Sequence, residues 1–230
     1  MFSFVGWLQQ LDFSSIWSTA LIVCASLICI TFHETCHGFA AWKLGDPTAK
    51  NAGRLTLNPI RHVDWVGLIM MAIFKFGWAK PVPIDVRNFR HPKRDTAITA
   101  AAGPLSNVLL AYVALLIRSA LMYFYVTRGG AVLDYVITFF EYIAVISAGL
   151  AVFNIIPIPP LDGAKVVYAF LPDRAYAKAM VYERYGMLIL MVVLFTGILD
   201  TPLDFLRSGL ISGLSDAAWF PFDILAKLKV

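Results

Sequence analysis

Three stretches of this chain, 16–44, 97–126 and 132–156, stay apolar for longer than the roughly 20 residues a helix needs to cross a bilayer. Nothing else restricts the fold as much, because only helices and closed barrels satisfy every backbone polar group in hydrocarbon. A fourth apolar stretch, 186–199, is short and could continue past Pro202 with a kink. Between the first two long spans, residues 65–76 are too short a run to cross and fit a re-entrant or interfacial segment better. Residues 79–86 alternate Lys80, Val82, Ile84 and Val86 with Pro81 and Pro83, the pattern of an edge strand or hairpin arm. The expected fold class is an all-α polytopic membrane protein of about four to six membrane helices, with a re-entrant or β-hairpin segment between the first two long spans. The tail 208–230 mixes apolar residues with Asp216, Pro221 and Asp223, and this pattern does not place it.

Composition agrees. With 59% hydrophobic and only 15% charged residues, the chain lacks the polar surface to coat a soluble globule. Disorder, collagen and a disulfide scaffold are excluded by the same figures. Cys24, Cys29 and Cys36 are an odd count inside apolar segments and read as buried free thiols. The net charge of +4 does not signal nucleic acid, because the cations sit in particular loops. Residues 1–15 hold none, whereas 45–96 hold Lys50, Arg54, Arg61, Lys75, Lys80, Arg87, Arg90, Lys93 and Arg94. The 127–131 connection holds only Arg128, and 157–185 holds Lys165, Arg174, Lys178 and Arg184. The positive-inside rule then puts the N-terminus outside and both basic connections in the cytoplasm of a multi-pass protein of the cell (inner) membrane. Residues 1–230 are expected to form a single membrane-embedded domain, with no cleavable signal peptide. The ends of spans one and three, two crossings apart, must then share a face.

The chemistry sits at those ends. His33-Glu34-Thr35-Cys36-His37 is an H-E-x-x-H, which puts two imidazoles on one helix face, one turn apart, within reach of one metal ion. Glu34, from the next position round, suits a carboxylate that takes a proton from an attacking water and passes it to a leaving amine. Ionisable residues inside a membrane helix are functional candidates by default. A competing reading makes them interfacial histidines near a helix end, since His33 lies about 25 Å along a helix starting at Ile16. A second polar cluster, Asn154 to Gly163, follows span three and carries Asp162, an oxygen donor on the same face. Catalytic zinc takes three protein ligands, and Asp162 supplies the missing one. Alternatively Asp162 caps the next helix. Gly163 allows either a close approach or a positive φ. Cys36 points about 100° away from His37. His62 and His91 lie in the basic loop and read as solvated or hydrogen-bonded. Asn107, in Gly103-Pro104-Leu105-Ser106-Asn107, reads as packing rather than as facing the site.

The His33–His37 motif and Asn154-x-x-Pro157-x-x-x-Leu161-Asp162-Gly163 together resemble the site-2 protease family of intramembrane zinc metalloproteases. The runs 45–50, 53–59, 77–83 and 102–107 resemble a compact bacterial and archaeal branch without PDZ or CBS domains. The resemblance implies one Zn2+ per chain held by His33, His37 and Asp162, with Glu34 as general base and Asn154 holding the substrate or the oxyanion. It implies cleavage of a transmembrane protein substrate in the lipid bilayer, near the cytoplasmic face. Two other classes remain: an inactive scaffold of the same fold that binds transmembrane helices, and, more weakly, a metal transporter.

Overall fold

The computed structural model describes residues 16–64, 67, 80–128 and 130–227. It is helical, with no strand among the described residues. Helix α1 spans Ile16–Lys43, and the single turn α2 spans Thr48–Asn51. Two 3-10 turns follow at Pro59–Arg61 and Val86–Asn88. Helix α3 runs Pro92–Arg128 and α4 runs Ala131–Asn154. Beyond them lie α5 (Asp162–Tyr168), α6 (Asp173–Tyr182), α7 (Gly186–Thr196) and α8 (Asp200–Lys227). Four segments are long and apolar enough to cross a membrane: Ile16–Lys43, Pro92–Tyr123, Val132–Asn154 and Asp173–Thr196. The chain is a multi-pass membrane protein.

The bundle closes on small residues. Ala25 and Cys29 of α1, Ala114 of α3, Ala144 of α4 and Ala218 of α8 are all buried in one cluster with Ile22, Leu115, Ile143 and Ile146. Short side chains let helix backbones approach, which replaces the hydrophobic drive that lipid removes. The tail is thereby placed: α8 packs Ala218 into the core despite Asp216 and Asp223. No kink carries α7 through Pro202. Gly197 takes φ +67 and closes α7, and Pro202 falls in the first turn of α8, where no amide is needed.

The basic connection folds back over one end of α1. Asp46 is fully buried and accepts from the backbone N–H of Thr48 and Asp85, from Asn88 Nδ2 and from the Thr48 hydroxyl. The Arg54 guanidinium donates to the Lys80 carbonyl at 2.7 Å, and the Thr35 hydroxyl donates to the Thr56 carbonyl at 2.9 Å. The expected edge strand is absent. Among the described residues, 80–85 pair with no strand; instead Lys80 N–H donates to the His62 carbonyl at 2.9 Å. That bond joins the two sides of the 65–79 stretch. The expected re-entrant segment falls on residues that, apart from Gly67, lie outside those described.

Candidate metal centre

The site is built where α1, α3 and the α4–α5 connection meet. Helical spacing puts His33 and His37 one turn apart on α1, both buried. After α4 the prolines at 157, 159 and 160 interrupt helix, and the connection turns back on itself. Gly163 makes this possible by close approach, not by positive φ: a Cβ there would lie under 3 Å from the Ile155 and Ile156 carbonyl oxygens. Asp162 then opens α5. Its carboxylate makes no capping hydrogen bond. Instead Asp162 Oδ2 lies 3.2 Å from His33 Nε2 and 3.1 Å from His37 Nε2, which are 2.9 Å from each other. These three residues form a group that can hold a metal ion.

The surroundings of His37 say what belongs between those atoms. His37 Nδ1 lies 2.7 Å from the Thr99 carbonyl, so Nδ1 carries a proton and donates it. In the neutral ring Nε2 is then a bare lone pair, facing a carboxylate oxygen. Two acceptors 3.1 Å apart repel unless the ring takes a second proton or a cation lies between them. The separations suit a cation. A tetrahedral zinc with nitrogen and oxygen donors at about 2.0–2.1 Å keeps those donors about 3.3 Å apart. The donor set, two imidazoles and a carboxylate, is one that catalytic zinc uses.

Glu34 is half-buried beside this group, and its Oε2 accepts the Val82 N–H at 2.8 Å. The 80–85 segment is thus pinned against the motif. Asn154 lies at the end of α4, where its Nδ2 donates back to the Leu150 carbonyl of its own helix at 3.0 Å. Cys36 is half-buried and lies outside the metal group. His62 is not solvated; it is 2% exposed, with Nε2 on the Thr56 carbonyl at 2.9 Å. His91 is exposed and donates its backbone N–H to Asp95.

The reading of Asn107 as a packing residue is overturned. It is fully buried, and its amide meets His33 Nδ1 at 3.0 Å. Gly103, one turn earlier, makes room for both rings: a Cβ there would fall under 3 Å from atoms of His33 and His37. Thr99, Gly103 and Asn107 recur every fourth residue and so form one face of α3. That spacing is visible in the sequence.

The family model for peptidase family M50 matches residues 120–199. Among curated proteins, "Putative zinc metalloprotease YwhC" of Bacillus subtilis is 34% identical over 175 residues, covering 76% of this chain and 80% of that protein. This chain belongs to peptidase family M50, the site-2 protease family. Another relative, "Putative zinc metalloprotease Rip2" of Mycolicibacterium smegmatis, is 28% identical over 184 residues, covering 78% of this chain and 68% of that protein. No solved structure matches the chain. Membership makes this M50 protein a metalloprotease and favours a hydrolase over the scaffold and transporter alternatives.

Proposed function

We propose that this protein is an intramembrane zinc endopeptidase that hydrolyses peptide bonds in or near transmembrane segments of other proteins. The observation that carries this reading is the meeting of three metal-ligand atoms from two segments 125 residues apart, at the ends of apolar helices. His33, His37 and Asp162 hold one zinc. Zinc bound there supplies Lewis acidity toward a water and toward the scissile carbonyl.

The remaining work falls to the chain. The Glu34 carboxylate takes the proton of the attacking water and delivers it to the leaving amine. The Val82 N–H holds one of its oxygens, which fixes the carboxylate and leaves the other oxygen to carry that proton. His37 keeps its orientation through the Thr99 carbonyl. Asn154, at the end of α4, contacts substrate or the oxyanion once its amide leaves the Leu150 carbonyl. By the positive-inside count the site opens to the cytoplasm of an inner-membrane protein whose N-terminus lies outside.

The test is reconstitution with a single-pass membrane protein in proteoliposomes. Wild type releases a fragment cut within or beside the span, whereas Glu34→Gln retains zinc and releases none. A Glu34→Gln protein that cuts at the wild-type rate would overturn the assignment of the base.

A further inference from the structure

We infer that Asn107 is the positioning residue for His33, its side-chain oxygen receiving the His33 Nδ1 proton so that a bare Nε2 is presented to the metal. The inference rests on the reading of His33 as a metal ligand. It starts from a buried amide with half its capacity unused. Asn107 is completely buried; one polar atom meets His33 Nδ1 at 3.0 Å, and the other, Oδ1, has no partner. Buried amide oxygens are rarely left unpaired without a reason.

The reason lies in the two states the ring must serve. With the amide nitrogen toward Nδ1, the ring proton sits on Nε2, where it can donate to the bare His37 Nε2 at 2.9 Å. That arrangement suits the metal-free group. It cannot suit a metal-bound His33, because Nε2 is then capped by hydrogen. An amide turned by 180° occupies the same space and offers its oxygen instead. Nδ1–H then donates to Oδ1, and Nε2 becomes a third bare donor beside His37 Nε2 and Asp162 Oδ2. Ligating histidines commonly give their other N–H to such an acceptor, which fixes the tautomer and raises ligand basicity. His37 already has its acceptor, the Thr99 carbonyl. Asn107, two turns further along the same face of α3, completes the pair.

Substitutions separate this role from packing, because the two roles order them oppositely. Asn107→Asp keeps an acceptor at the same place, whereas Asn107→Leu keeps the volume and removes the acceptor. The measurement is zinc affinity of the detergent-purified full chain, by competition against a chromophoric chelator, together with the visible absorption spectrum after cobalt(II) loading. His33→Ala serves as the reference. We expect Asn107→Asp to bind zinc at least as tightly as wild type with a wild-type cobalt spectrum. Asn107→Leu binds about 10- to 100-fold more weakly with an altered spectrum. Should Asn107→Leu fail to run as a single peak in gel filtration, Asn107→Ala, which also lacks the acceptor, takes its place. Wild-type affinity in the variant without an acceptor, with loss in Asn107→Asp, overturns the inference in favour of packing. Undiminished zinc in His33→Ala instead overturns the ligand reading itself.

Discussion

Helices α1 and α3 are packed together twice, by different means. Away from the site, α1 meets α3 and α4 through Ala25, Cys29, Ala114 and Ala144, all buried and apolar. At the site the same two helices meet through His33, His37, Gly103 and Asn107, with the Thr99 carbonyl between them. The first contact needs only small volume, and many apolar combinations satisfy it. The second needs a hydrogen-bond partner at each ring nitrogen and an empty place where a Cβ would stand. The apolar half sets how close the helices run; the polar half spends that closeness on orienting two imidazoles.

The comparison breaks most sharply at Gly103. Gly103→Ala puts a methyl into both rings, so zinc binding and proteolysis are expected to fall at least about 100-fold while the protein still inserts in the membrane. Metal analysis and fragment release of the purified variant check this. Gly213→Ala on α8, where an added Cβ meets nothing within 4 Å, leaves both unchanged. Next in size is Ile143→Ala, in the apolar half, which is expected to cost about 2–5 kcal/mol of stability with zinc affinity retained. Unfolding in a detergent-denaturant titration measures it, and loss of zinc without loss of stability would merge the two halves.

Smaller effects belong to the connection that covers the site. Thr35→Val removes the hydroxyl bond to the Thr56 carbonyl and is expected to cost about 1 kcal/mol, read in the same titration. The smallest is a pH effect. Burial pushes the Asp46 carboxyl up, but hydrogen bonds from Thr48, Asn88 and the Asp85 N–H outweigh it and hold it below the ordinary range. The Arg87 side chain beside Asp85 holds that carboxyl down at about 2. Both groups bind fewer protons folded than unfolded, so their stabilisation is complete above the ordinary value of 3.8 and fades as pH falls toward 2. Thermal melts should therefore drop between about pH 4 and pH 2, and less steeply in Asp46→Asn.

Much of this molecule is legible in its sequence, for physical reasons. Spans are set by apolar length, and α1, α3 and α4 begin and end within about five residues of the ranges read from composition. The metal group is legible because helix periodicity alone puts His33 beside His37, and charge asymmetry puts Asp162 on their side. Other features depend on contacts that no local pattern encodes. Whether Asn107 packs or faces the site depends on the rotation of α3 against α1. Whether 80–85 forms a strand depends on finding a partner strand, and its backbone bonds go instead to His62, Arg54, Glu34 and Asp46. The tail is not placed by its sequence because Asp216, Pro221 and Asp223 interrupt its apolar pattern, although Ala218 is buried in the core.

The most direct test is the metal content of the detergent-purified protein, wild type beside Asp162→Ala. The account predicts about one zinc per chain in wild type and little or none in the variant, because the third ligand arrives from a segment far from the motif. Zinc retained undiminished in Asp162→Ala would contradict it.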